Sequence, residues 1–199
     1  MAGKKRAFLS AKPHKFEATG DFAEHLEGED RREMIPPEAI VERMGLSGKE
    51  RVVDLGAGLG YFALPISKVA GEVVAVDIEP KMLALLSQKA LSAGIANVHM
   101  LLGDISSVPL SDGAADHVFA AFVYHEVSVQ SKLVEECARI LRPSGKLTIV
   151  DFQKRFSGEG PPIWVKKSPA HAIRTATPWF TLQTRFDTDV FYQLSFVKN

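Results

Sequence analysis

A chain of 199 residues, 46% apolar and 24% charged, is long enough to bury a core and reads as one domain with a small appendage. Lysine plus arginine balance aspartate plus glutamate at 24 each, and the basic runs Lys4-Lys5-Arg6 and Lys166-Lys167 read as solvated surface, which argues against a nucleic-acid partner. Neither a membrane span nor a secretion signal is visible, and Cys137, the single cysteine, excludes an intramolecular disulfide, so a reducing cytoplasm is the expected location.

Residues 1–35 are polar with scattered apolar side chains and are expected to form an arm or cap on a domain covering 36–199. Pro36-Pro37 opens a short helix with Ile40, Val41 and Met44 on one side. RVVDLG (51–56) is β-branched and followed by glycines, the pattern of a buried strand. The next segment, Tyr61 to Val69, is helical in pattern, but Pro65 delays the regular helix to about Phe62. EVVAVD (72–77) is a second buried strand, followed by a helix that opens at Pro80 and ends at Gly94. NVHMLLGD (97–104) and DHVFAAFVY (116–124) supply two more strands. Lys132 to Leu141 is an amphipathic helix whose inward face includes Cys137, and KLTIVDF (146–152) is a fifth strand.

Strands that alternate with helices and are apolar on both faces predict a doubly wound α/β fold with a mostly parallel sheet. The tail differs. A loop over 153–168 leads to a helix between Ser168-Pro169 and Pro178. TLQTRF (181–186) and VFYQLSF (190–196) then alternate polar and apolar around Asp187-Thr188-Asp189, with Phe180, Leu182 and Phe186 on one face. That is a β-hairpin, so an antiparallel strand should finish the sheet.

The chemistry concentrates in VVDLGAGLG (52–60). Asp54 closes the first strand, and Gly56, Ala57, Gly58, Gly60 and Tyr61 form the turn behind it, where a doubly wound sheet receives its ligand. Dinucleotide folds space these glycines GxGxxG, but the third position here is Tyr61. A carboxylate two residues before the first glycine suits an ammonium and hydroxyls better than a pyrophosphate, which disfavours a nicotinamide cofactor. Asp77 ends strand two, where it can accept from two ribose hydroxyls, and Ile78 beside it can pack on an adenine. Gly103, Asp104 and Ile105 end strand three, with Asp104 in place for the adenine amine. Each aspartate alone also reads as a cap or turn former. Together they outline an adenosine joined to an amino acid.

Four blocks carry a resemblance: VVDLGAGLGYFALPIS, VVAVDIEPKML, LLGDISSVPLSDGAADHVF and ECARILRPSGKLTIVDF, within about residues 36–152. They resemble class I S-adenosylmethionine-dependent methyltransferases of the small-molecule type, similar to the ubiquinone/menaquinone methyltransferase group. The resemblance implies a Rossmann-like sheet of seven strands, the last antiparallel, in agreement with the hairpin. It implies S-adenosylmethionine as cofactor, S-adenosylhomocysteine as product, and in-line methyl transfer to a small-molecule acceptor. Asp54, Gly56, Gly58 and Gly60 would surround the methionine part, Asp77 the ribose, and Ile78, Asp104 and Ile105 the adenine. Ser144-Gly145 departs from the two glycines usual in the family, at a turn away from the cofactor.

Candidates on the acceptor side follow strand four: Tyr124, then His125 as base or orienting group, with Glu126 nearby. The plainer alternative makes His125 a strand cap and Glu126 a solvated or capping residue. Asp151, ending strand five, is a second candidate, and His14, Lys15 and Phe16 of the arm are a third set, able to close over the cofactor. Trp164 and Trp179 are read as packing residues, with an apolar acceptor pocket as the alternative. No histidine pair has metal-ligand spacing, so no metal is expected. The DNA amino-methylation turn after strand four is absent, since Ala121-Phe122-Val123-Tyr124 stands there. Cys137, on the apolar side of its helix, suits neither cytosine-C5 chemistry nor the several cysteines of arsenite methylation. The competing functional class is a regulatory module that keeps the cofactor and lacks catalysis. The oligomeric state has no signature in the sequence.

Overall fold

The computed structural model describes residues 28–155 and 160–199. The expectation for His14, Lys15 and Phe16 therefore lies outside the described residues. Seven strands form one sheet: β1 (Arg51–Leu55), β2 (Glu72–Asp77), β3 (Val98–Leu102), β4 (Ala115–Ala121), β5 (Leu141–Phe152), β6 (Phe180–Asp187) and β7 (Phe191–Lys198). The order is β3-β2-β1-β4-β5-β7-β6, with β7 antiparallel to both neighbours and every other pairing parallel. The chain order reverses between β1 and β4, which places the topological switch beside the Asp54 turn.

Helices cover both faces. One core layer joins Val53, Leu55, Val74, Val76 and Val118 of the sheet to Leu133, Val134 and Cys137 of α5 (Gln130–Ile140) and to Ala172 and Ala176 of α6 (Pro169–Ala176). The other packs Val52, Val73, Ala75 and Phe119 against Ile40 and Val41 of α2 (Pro37–Glu42), Ala63 and Ile66 of α3 (Ala63–Ser67), and Leu86 of α4 (Pro80–Ser92). Helix α3 starts one residue after Phe62, in keeping with the delay that Pro65 imposes. Ahead of these, α1 (Glu29–Met34) buries no residue of its own, and Ile35 after it enters the second layer. No helix among the described residues is long and apolar enough to cross a membrane.

The hairpin is present, but its second strand lies inside the sheet. Phe191, Tyr192, Gln193 and Leu194 are therefore all buried, on both faces, where simple alternation predicted one. A register shift between Leu182 and Thr184 moves Phe186 to the face opposite Phe180 and Leu182, correcting their expected common face. Phe186 meets Phe191 and receives the Arg43 guanidinium 4.0 Å above its ring. Two further corrections concern the 153–168 loop and the hairpin. Lys166 is 1% exposed rather than solvated, its ammonium 5.6 Å from the Phe152 ring centroid. Trp164, expected to pack, is 70% exposed, and Trp179 is exposed too. Ser144 adopts a positive φ of 59°, the conformation for which the usual glycine is suited.

Candidate active site

The site occupies the carboxyl ends of the strands. Hydrophobic flanks drive β1 so deep that Asp54 is only 2% exposed, and its Oδ2 has no hydrogen-bond partner among the described residues. Burial, reinforced by the charge of Asp77, pushes the Asp54 carboxyl up to about 7. The glycines behind it divide into two kinds. A Cβ at Gly56 would run into Val123, and one at Gly60 into Leu86, so these two permit close packing. Gly58, with φ of 53°, has nothing within 4 Å of where a Cβ would stand. It borders open space.

Asp77 ties this turn to β2: its Oδ2 accepts from Gly58 N at 2.8 Å and its Oδ1 from Glu79 N at 2.9 Å. Ile78 beside it is 69% exposed. Gly103 N donates to the Asp77 carbonyl at 3.0 Å, while Pro109 fills the place of a Gly103 side chain. Asp104 is exposed and accepts from Ser106 N at 2.7 Å, and half-buried Ile105 packs on the core. Asp77 and Asp104 thus do shape turns, yet each carboxylate keeps lone pairs to spare. Asp54 shapes none. This half of the rim is a wall of acceptors, suited to ligand donors such as an ammonium and hydroxyls. The Tyr61 hydroxyl donates to Ile35 O at 2.7 Å, and the Arg31 guanidinium lies 4.9 Å from the Tyr61 ring centroid, which seats α1 against the rim.

The other half follows β4. Phe122 turns the chain with a φ of 59°, a strained conformation for an aromatic residue, held by Phe152 at 4.6 Å and Phe62 at 6.2 Å between centroids. That turn delivers Tyr124 to the interior and His125 to the rim. His125 Nδ1 lies 2.7 Å from Asp151 Oδ1 at the end of β5. The histidine side chain is 7% exposed and that of Asp151 fully buried. Burial opposes the imidazolium, but the charge and hydrogen bond of Asp151 outweigh it and raise the His125 pKa. Glu126 Oε1 stands 3.9 Å from His125 Nε2. Although 41% of the Glu126 side chain is exposed, desolvation, aided by the charges of Asp151 and Asp77, pushes its carboxyl up to about 7 despite the attraction of His125.

Sequence reasoning placed His125 and Asp151 as separate candidates, and the structure brings them together. It missed their neighbours. Tyr192 stands opposite Asp151 in the β5–β7 register, fully buried, with no partner for its hydroxyl among the described residues. His171 of α6 bonds the Tyr124 hydroxyl at 3.0 Å through Nδ1. The sheet order, with β4 beside β5 and β7 beyond it, accounts for the approach of Tyr192, and the packing of α6 accounts for that of His171.

Comparison with known proteins agrees with this geometry. Residues 53–149 match the family model described as a methyltransferase domain. The solved structure of an S-adenosylmethionine-dependent methyltransferase from Aquifex aeolicus superposes with a TM-score of 0.84 at 25% identity, covering 92% of this chain and all of that one. Residues 53–149 thus match a methyltransferase domain, and the chain shares the fold of an S-adenosylmethionine-dependent methyltransferase. The domain is 36% identical over 105 residues to the demethylmenaquinone methyltransferase of Thermus thermophilus, across 52% of this chain and 47% of that protein. It is 34% identical over 103 residues to an uncharacterized methyltransferase of Bacillus subtilis, across 52% of this chain and 41% of that protein. The matches span less than half the length of these curated relatives. The Asp54 turn, β2, β3 and β4 all fall within the matched methyltransferase domain, while Asp151 and α6 lie beyond it.

Proposed function

We propose that this protein methylates a small-molecule acceptor by in-line transfer from S-adenosylmethionine, with His125 as general base. The observation that carries the reading is the 2.7 Å contact between His125 Nδ1 and Asp151 Oδ1, on the rim next to the cofactor half. The residues of that half fit the cofactor's chemistry. Asp54, buried and lacking a partner for Oδ2, would take the ammonium, and Gly56, Ala57, Gly58, Gly60 and Tyr61 would cradle the amino-acid part. Asp77 would hold the ribose hydroxyls, and Ile78, Gly103, Asp104 and Ile105 would flank the adenine.

When bound, the cofactor supplies a methyl group activated on a sulfonium. The protein's own work is alignment, exclusion of water and removal of one proton. Asp151 accepts from Nδ1–H and so leaves Nε2 as the basic nitrogen of His125. The acceptor nucleophile gives its proton to Nε2 as it attacks, and Asp151 stabilises the imidazolium that forms. Glu126, beside Nε2, is placed to pass that proton toward solvent.

Calorimetry with S-adenosylmethionine and NAD(H), followed by an S-adenosylhomocysteine release assay over an acceptor panel, tests the reading. Asp77→Ala should weaken cofactor binding by at least ~1.5 kcal/mol, the scale of a lost charged hydrogen bond. Binding should also tighten as pH rises through about 7, because an ammonium favours the ionised form of Asp54. Affinity for NAD(H) alone would overturn the reading. Cofactor binding without product from any acceptor would leave a binding module.

A further inference from the structure

We propose that Tyr192 is a positioning residue for the His125–Asp151 pair: its hydroxyl donates, across one buried water, to the second carboxylate oxygen of Asp151 and so pins the group that orients His125. That Asp151 serves a base rests on the methyl-transfer reading above; the link between Tyr192 and Asp151 stands without it.

The sheet brings the two residues together. Asp151 and Tyr192 are directly opposed in the antiparallel β5–β7 ladder, and opposed residues project to one face with Cβ atoms about 5 Å apart. That face is the layer beneath α5 and α6. Asp151 falls two places after Ile149, Tyr192 falls two before Leu194, and Ile149, Leu194 and Tyr192 itself all lie in that core. Helix α6 packs against β7 and lays Ala172 and Ala176 on the same layer. Asp151 and Tyr192 are both 0% exposed.

Bonding at Asp151 is one-sided. Its Oδ1 meets both His125 Nδ1 and Phe152 N at 2.7 Å, while Oδ2 has no partner among the described residues. The Tyr192 hydroxyl likewise has none there. Each bare polar atom is costly in the interior, and the two are complementary, since a carboxylate oxygen accepts and a hydroxyl can donate. Burial, then the charge of Asp151, raises the Tyr192 pKa, which keeps the donated proton in place. A buried water needs at least two polar partners, and this ladder pair supplies them. Because both side chains are sealed from the surface, the link acts on His125 through Asp151 rather than by touching an acceptor. With donors on Oδ1 alone the carboxylate can pivot; a donor on Oδ2 fixes its plane, and with it the line of the bond to His125.

Three charged groups act on His125: Asp151 from β5, Glu126 beside Nε2, and Lys166 from the loop before α6. The Tyr192 link tunes the first of these. A donor on Oδ2 draws charge from the carboxylate and weakens its hold on the imidazolium.

The test uses the full chain and Tyr192→Phe, which removes one oxygen and keeps the ring. Deleting a bare hydroxyl would raise the urea midpoint; we expect a lower midpoint at unchanged slope. The His125 ring signal, followed by NMR against pH and assigned with His125→Gln, should titrate at higher pH in the variant. Adding Asp151→Asn should abolish that difference, since no carboxylate remains to be tuned. A crystal structure should show one ordered water bonded to Tyr192 Oη and Asp151 Oδ2. A raised midpoint, an unmoved His125 titration, or either atom bonded elsewhere would overturn the link. Where product forms, kcat should fall about threefold to tenfold with KM unchanged, and an unaltered kcat would overturn the positioning role. No product from any acceptor, with midpoint and titration as expected, would strike the methyl-transfer reading and spare the link.

Discussion

Strand β4 carries one histidine near its start and delivers another past its end, and the two are held in opposite states. His117 is 1% exposed and bonds through Nε2 to the Thr148 hydroxyl of β5 at 2.8 Å. Burial, with Lys146 acting in the same direction, takes its pKa down to about 4. The His125 side chain is nearly as buried, yet its partner on β5 is the Asp151 carboxylate, and its pKa rises. Burial alone therefore does not decide the charge of a histidine. A hydroxyl partner leaves desolvation in command and makes a structural group, whereas a buried carboxylate reverses the sign and makes a proton acceptor.

The sharpest way to break this contrast is His125→Ala. As the proposed base it should contribute about 10²- to 10⁴-fold to turnover, while cofactor affinity, which the proposed function assigns to the other half of the rim, stays within experimental scatter. Product release assays with calorimetry on the same preparation measure both. A variant that turns over normally would reduce His125 to a strand cap.

His117 offers the next largest effect, on stability. Its folded pKa of about 4 lies below the unfolded value of 6.5, so the unfolded chain takes up the proton more readily. The contribution is fully present above pH 6.5 and is lost as pH falls toward 4, amounting to about 3 kcal/mol in all. Urea unfolding at pH 7 and pH 4 should show this loss in the wild type and a smaller one in His117→Gln. An identical loss in both would place the acid sensitivity elsewhere.

The same pair of histidines shows where sequence reasoning reaches and where it stops. Local patterns announced β1, β2, the Asp54–Gly60 turn and the hairpin, because strand burial and turn chemistry are written in adjacent residues. The partners of the histidines are not adjacent: Thr148 stands 31 positions from His117, and Asp151 stands 26 from His125. Both pairings arise because β4 and β5 run parallel in one register, with His117 opposite Lys146 and Ala121 opposite Val150. The position of β7 between β5 and β6 was equally hidden, since alternation within a hairpin does not say which strand faces the sheet. Lys166 misled because a lysine pair reads as surface until an aromatic neighbour and a packed loop enclose one member.

Asp151→Asn addresses the partner of the rim histidine. Asparagine still accepts from Nδ1–H but carries no charge, so the imidazolium formed during turnover loses its counter-ion. Turnover should fall about tenfold to a hundredfold, the range of a charged hydrogen bond. The rising limb of the pH–rate profile should also move to lower pH, because the raised His125 pKa drops when the carboxylate is gone. A purely structural role would lower the rate without moving the limb.

Thr148→Val is the matching change at the structural pair and the smallest effect of the four. Valine keeps the shape of threonine and removes the hydroxyl that meets His117 Nε2 at 2.8 Å and lies 3.4 Å from Ser195 Oγ. Ser195 is only half-buried and can turn to water, but His117 cannot, since its Nδ1 already lacks a partner among the described residues. The cost should be about 1 kcal/mol of unfolding free energy at pH 7, the net worth of one neutral hydrogen bond. Turnover should not change, because Thr148 lies three residues below Asp151 and touches nothing on the rim. A loss of activity matching that of Asp151→Asn would show that the two histidines are coupled through β5, and the contrast between them would dissolve.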